Sequence, residues 1–188
     1  MEGAASEAGE PYREADFTVQ ASVEPHEAPL NLLMDAVVRI VEIEGPIHAE
    51  ETGRRLAAVW GRNRAGNRIQ DAAARALRGA EYRRRVVKDG NFFSTEPLEA
   101  FPPRDRSAVR STTLRRPDML PPVEIRTAVK QIVAAGVGVT PDEAVTQAVR
   151  LFGFQRTGAD LRAVIEEEIR QMLAREQLKL REGKLYLD

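Results

Sequence analysis

The sequence predicts a mainly α-helical fold with small β-hairpins, organised as two tandem winged-helix domains. Three observations carry this. First, the stretch from Trp60 to Ser94 reads as a turn, a helix and two short strands closed by Asp89-Gly90. Second, two segments of helical period precede it, and three helices followed by a hairpin is the order of a winged helix, a helix-turn-helix variant. Third, the pattern returns. Leu33, Ala36, Val37, Ile40 and Val41 match Ile125, Ala128, Val129, Ile132 and Val133 at one offset (125 − 33 = 92). Trp60 and Phe152, Gly61 and Gly153, Arg64 and Arg156, Gly66 and Gly158, Ile69 and Leu161, and Leu77 and Ile169 keep that offset. The hairpin slips by one residue, Gly90 matching Gly183. A single offset held over so many core positions marks an internal repeat.

Residues 1–28 are rich in Glu, Ala, Gly and Ser and have little apolar periodicity, so they are expected to be disordered or loosely attached, with Phe17 and Val19 as candidate docking points. The first domain is expected at 29–95. Pro29 opens a helix whose apolar stripe is Leu33, Ala36, Val37, Ile40 and Val41, and Gly45-Pro46 ends it. His48 stands at an N-cap position with Glu51 in the capping-box place, opening a second helix that Gly61 stops. The third helix starts near Gly66 and is apolar through Ile69, Ala72, Ala73, Ala76, Leu77 and Ala80. Asp-Gly between apolar runs predicts a two-residue hairpin turn, because both central residues need positive φ. Residues 96–122, with six prolines among Arg and Ser, read as a semi-extended linker. The second domain is expected at 123–188. There Thr140-Pro141-Asp142-Glu143 forms a capping box, and Thr157 and Asp160 are placed to cap the third helix similarly.

Charge separates along the chain although the net value is −1. The first 51 residues hold twelve acids against Arg13 and Arg39. From Gly53 to Lys88 there are eleven Arg and Lys against Asp71 and Glu81. There is no cysteine, which excludes disulfides and thiolate metal sites and fits a reducing compartment. No signal peptide or membrane-length apolar run is present, so a cytoplasmic protein without membrane contact is expected. The chain has no phosphate-binding Gly-rich loop ending in Lys-Ser/Thr. His26 and His48 stand apart from any ligand cluster, and Glu166, Glu167 and Glu168, which point in different directions on a helix, are expected to form a solvated acidic face. No catalytic residue, metal or cofactor is assigned.

The candidate site is therefore a nucleic-acid-binding face of the first domain. Asn67, Arg68, Arg75 and Arg78 on the third helix suit base edges and phosphates, and Arg83, Arg84, Arg85 and Lys88 suit phosphate contacts by the wing. The bland alternatives are a solvated arginine-rich helix, or arginines neutralised by the acids of the first fifty residues, which could cover the basic helix. Arg64 and Arg156 occupy equivalent places in both copies, which favours a structural task such as bonding helix-end carbonyls. The matching helix of the second domain carries Ala159, Asp160, Ala163, Glu167 and Arg170. Acids there repel phosphate, so if one copy meets DNA it is the first.

Three segments also carry a family resemblance: EGPIHAEETGRRLAAVWGRNRAGNRI (Glu44–Ile69), PPRDRS (Pro102–Ser107) and RLFGFQRTGADL (Arg150–Leu161). They resemble an uncharacterised domain family at the C-terminal end of large bacterial superfamily-one helicase-like proteins, often just after a very-short-patch-repair-like endonuclease domain. The resemblance covers Pro29–Asp188 and implies a DNA-processing context. The chain itself shows no motor or nuclease motif, so it is expected to be a fragment of a longer protein or a stand-alone version. The expected function is a non-catalytic module that binds duplex DNA beside a helicase or nuclease. The alternative is a protein-interaction module that docks such a partner.

Overall fold

A computed structural model of the chain describes residues 9–187, so the looseness expected of residues 1–8 lies outside the described residues. The fold is mainly helical with small sheets. In chain order the elements are β1 (Glu10–Pro11), α1 (Leu30–Glu44), β2 (Ile47–His48), α2 (Ala49–Val59), α3 (Asn67–Tyr82), β3 (Val87–Asp89), β4 (Phe92–Ser94), β5 (Arg104–Asp105), α4 (Pro122–Ala135), α5 (Pro141–Leu151), α6 (Ala159–Ala174), β6 (Leu178–Arg181) and β7 (Lys184–Leu187). The helices α4, α5 and α6 each begin 92 residues after α1, α2 and α3 (122 and 30, 141 and 49, 159 and 67). The described residues form two compact units, Arg13–Leu98 on one hand, 9–12 with 99–187 on the other.

In the unit Arg13–Leu98, α1 and α2 close on α3. Leu33, Val37, Ile40, Leu56, Ala72, Ala76 and Leu77 are essentially sealed from water. The small residues of α3 let its neighbours approach. A Cβ on Gly79 would sit 2.7 Å from the Met34 sulfur, and one on Gly53 would strike the Gln70 side chain. The sheet order is β2-β4-β3, all antiparallel, with Ile47 beside Phe93 and Lys88 on the other side of Phe93.

The hairpin turn differs from the expectation. Asp89 pairs with Phe92, so the loop is Gly90-Asn91, and Gly90 has a φ of 57° while Asn91 does not share a positive φ. A positive φ at the first loop residue alone is the type II′ pattern. In the other unit Arg181 pairs with Lys184, and both loop residues, Glu182 and Gly183, have positive φ, 49° and 75°. That is the type I′ pattern. Glycine holds the first loop place in one hairpin and the second in the other, which accounts for the one-residue slip. Otherwise the register is kept. Ile47 pairs with Phe93, and 92 residues on Val139 bridges Leu185.

The segment up to Ala28 is not loose from Gly9 onward. Ala15 is buried and its N–H donates to Glu44 Oε1 at 2.8 Å. Val19 N–H donates to Val59 O at 2.8 Å, and Trp60 Nε1–H donates to Val23 O at 3.2 Å. Phe17 packs on the core and lies 4.2 Å below the Arg39 guanidinium, so Phe17 and Val19 do dock. The missing periodicity was a true sign of missing helix. Backbone hydrogen bonds and a buried ion cluster hold the segment instead. In that cluster Arg55 meets Glu14 at 3.0 Å, Glu51 at 3.4 Å and both oxygens of Glu44. Burial works against the Arg55 charge, but the Glu44 hydrogen bond and the Glu44, Glu14 and Glu51 carboxylates outweigh it and raise its pKa.

Residues 96–122 depart from the expected linker in the same way. β5 pairs in parallel with β1, and Gly9 N–H donates to Leu151 O at 3.0 Å. Short 3-10 turns at Thr112–Arg115 and Pro117–Met119 follow, with Val109, Leu114, Met119 and Leu120 buried. Prolines here shape compact turns over apolar anchors. Arg106 is 1% exposed and meets Glu124 Oε2 at 3.1 Å, while Arg104 Nε donates to Glu124 Oε1 at 2.8 Å. The Tyr12 ring lies 4.5 Å from the Arg104 guanidinium and 5.2 Å from that of Arg106. Burial pushes the Arg106 pKa down, against the pull of Glu124. Gly153, at φ 79°, passes so close that a Cβ would strike the Asp105 carboxylate.

The caps are mixed. Thr140 and Glu143 form the expected box on α5. His48 caps α2 by accepting from Glu50 N–H on Nδ1 at 3.1 Å, while Glu51 is buried against Arg55. Thr157 and Asp160 do not cap α6. Gly158 holds the N-cap with no side-chain bond, because the helix starts one residue later than that capping needs. Glu168 does not share the solvated face expected of the three glutamates. It is buried and meets Arg126 at 3.2 Å.

Candidate nucleic-acid interface

The face of α3 opposite its alanines carries Asn67, Arg68, Asp71, Arg75, Arg78 and Tyr82, spaced so that all fall within one stripe. The predicted residues Asn67, Arg68, Arg75 and Arg78 are all exposed there. Arg83, Arg84, Arg85 and Lys88 follow at the end of the helix and in β3, also exposed. Asp71 interrupts the stripe with a carboxylate. At the other end, Gly66 holds the N-cap of α3 without a side-chain bond and with open space around it. The positive end of the helix dipole thus faces solvent beside Arg64, Asn67 and Arg68.

Ion pairing sorts these cations. Arg55 is buried among carboxylates, Arg54 meets Glu50, Arg62 meets Glu24, and Arg85 Nη1 meets Asp35 Oδ1 at 2.6 Å. Arg64, Arg68, Arg75, Arg78, Arg83 and Arg84 make no side-chain hydrogen bond or ion pair with any described residue. The acids before Gly53 thus engage the flanks of the basic segment, and no pair to them covers the α3 stripe among the described residues. Lys88 lies 5.8 Å above the Phe93 ring. Neither Arg64 nor Arg156 bonds a helix end among the described residues, against the structural task expected of them. Both are exposed in the loop before the third helix of their unit.

Arg84 stands in an unusual backbone position. Its φ is 56°, its N–H donates to Glu81 O and that of Arg85 donates to Ala80 O, each at 2.9 Å. This pair of bonds is a Schellman motif, whose left-handed residue is most often glycine. The corresponding residue Glu176 has a φ of 57° with the same two bonds, Glu176 N–H to Leu173 O at 3.1 Å and Gln177 N–H to Met172 O at 2.9 Å.

Two features escaped the sequence reading. Tyr82 is 89% exposed at the end of the α3 stripe. Its spacing of four and seven from Arg78 and Arg75 was the available signal. The second is the outer side of the β6-β7 hairpin, where Lys179 pairs with Tyr186 and Arg181 with Lys184 across the strands. The alternation in KLREGKLYL marked it. Lys184 on that side attracts the Glu143 carboxylate.

Among the described residues no group of three or more His, Asp and Glu is placed to hold a metal ion, and no helix is long and apolar enough to cross a membrane. A family model described as a protein of unknown function (DUF3320) matches residues 23–71, which run from before α1 into the first turn of α3. No curated protein and no solved structure matches the chain.

Proposed function

We propose that the chain is a non-catalytic module that binds duplex DNA, built from two tandem winged helices with the first, 29–95, as the reader. The observation that carries the reading is the set of exposed arginines on α3 and after it, unpaired with any described residue while their neighbours are neutralised. An arginine kept without a counter-ion retains its full attraction for phosphate. Each unit has three helices and a hairpin, and in each a residue of the loop after the first helix, Ile47 or Val139, joins the hairpin through a further strand or bridge. This supports the winged-helix assignment. In that fold α3 enters the major groove, with Asn67 and Arg68 toward base edges, and the wing lies along the backbone. The resemblance noted from EGPIH, PPRDRS and RTG supports a reading in which the module works beside a helicase or nuclease in cytoplasmic DNA processing.

Fluorescence anisotropy with a labelled duplex at several salt concentrations tests this. Binding that weakens steeply with salt is expected. Absence of binding at low salt, or binding unchanged by reversing Arg75, Arg78, Arg83 and Arg84 to Glu, overturns it.

A second reading, docking of a protein partner, draws on α6. Its outer face carries Asp160 and Glu167 and repels phosphate. A cationic surface on a helicase or nuclease is its complement, and co-elution that is lost on Glu167→Lys is its test.

A further inference from the structure

We infer that Tyr82 is a stacking platform, so that the preferred ligand of this face is a nucleic acid presenting an unpaired base at the edge of a duplex. The inference rests on the DNA-binding reading above and narrows its substrate class. Tyr82 is 89% exposed, so its ring packs on almost nothing. The fold does not need it. The corresponding residue at the end of α6 is Ala174, and that helix closes with the same left-handed cap. The position is also held firmly, because the Schellman bonds of Arg84 and Arg85 fix the helix end directly after it.

The surroundings suit nucleic acid. Arg75 and Arg78 share the Tyr82 stripe, Arg83 and Arg84 follow it, and none of the four has an ion-pair partner among the described residues. Glu81 is exposed beside it and Asp71 lies on the same stripe, so the cations outnumber the acids there. Phosphate contacts are indifferent to base pairing. A flat ring with its faces in water is not, because it gains most by covering the face of a base. Within a closed duplex those faces are covered by neighbouring pairs. They are open in a single strand, at a fork or at an extruded nucleotide. Cations alongside an aromatic face is the arrangement by which single strands are held without regard to sequence.

The test uses the full chain and three labelled probes of matched length: a duplex closed by loops at both ends, a forked duplex with two single-stranded arms, and a single strand. The fork is expected to bind about tenfold more tightly than the closed duplex, the fold-change of one stacked base. Tyr82→Ala should remove that preference, while Tyr82→Phe and Tyr82→Trp keep it. Fluorescence of the Tyr82→Trp variant should be quenched by the fork and not by the closed duplex. The native tryptophan, Trp60, is buried and gives a constant background. Equal affinity for fork and closed duplex, or a preference that survives Tyr82→Ala, overturns the stacking role and leaves the DNA-binding reading standing. Failure to bind any of the three probes overturns both.

Discussion

Arg85 reaches fifty residues back to Asp35, its Nη1 donating to Oδ1 at 2.6 Å. Arg83 and Arg84 beside it have no partner among the described residues. The run of three arginines is thus two different things. Asp35→Asn should release Arg85 and raise affinity for duplex DNA, most visibly at low salt. The pair is exposed, so the midpoint of urea unfolding should move by less than about 1 kcal/mol equivalent. Anisotropy and urea titration on the same sample check both halves.

The unpaired arginines should act as phosphate contacts. Alanine at Arg75, Arg78 or Arg83 is expected to weaken binding evenly across duplex sequences. Each should reduce the slope of log affinity against log salt by about one. Stability should change by no more than about 0.5 kcal/mol, since the side chains are exposed. A variant that loses binding with an unchanged salt slope would count against a phosphate role.

Arg84 and Glu176 provide a matched control. Both hold left-handed backbone that disfavours a Cβ, so glycine at either position should stabilise the protein by about 1 kcal/mol. Only Arg84→Gly should weaken DNA binding. The same gain in thermal midpoint with opposite binding results would separate backbone strain from function.

The buried ion clusters are sensitive to loss of one partner. Arg55→Met removes the cation that Glu14, Glu44 and Glu51 share, although Glu51 keeps its contact with Arg54, and should cost about 3–5 kcal/mol. Glu124→Gln should be comparably damaging, because it strips Arg104 and Arg106 of their shared carboxylate. Denaturant unfolding measures both. A loss under about 1 kcal/mol would show that these charges reach water.

Glu143 gives a pH signature. Hydrogen bonds from Thr140 hold its carboxylate below the usual range. A depressed folded pKa contributes stability that is present above the unfolded value and lost as pH falls through the folded one. The gap in thermal midpoint between the natural protein and Glu143→Gln should therefore be full near neutrality and close in acid. A gap constant down to acid pH would assign the effect to packing.

Much of the helical framework was legible because burial imposes a period. Leu33, Val37 and Ile40, and Ile125, Val129 and Ile132, repeat as one face of a helix must. The stripe of Asn67, Arg68, Arg75 and Arg78 was legible for the converse reason, since it lies on the face opposite the alanines. What stayed hidden had no period. Ala15, Arg104 and Arg106 are placed by single hydrogen bonds and ion pairs to residues far along the chain. The segments EGPIH and PPRDRS looked distinctive in sequence, and their distinctive residues Glu44, Arg104 and Arg106 prove to be parts of buried ion clusters. For Tyr82 the only signal was its place on the Arg75 and Arg78 stripe, because the exposure of a single ring leaves no trace in composition.

The parallel pairing of β1 with β5 sets an order of events during synthesis. Residues 13–98 hold everything their own unit requires once Leu98 has left the ribosome. Glu10 and Pro11 have by then been waiting, because their partners Arg104 and Asp105 have not yet emerged. Gly9 waits longer still, for the carbonyl of Leu151. At about 5–20 residues per second, the early strand spends several seconds without its mate. The unit Arg13–Leu98 should therefore complete its fold before the other.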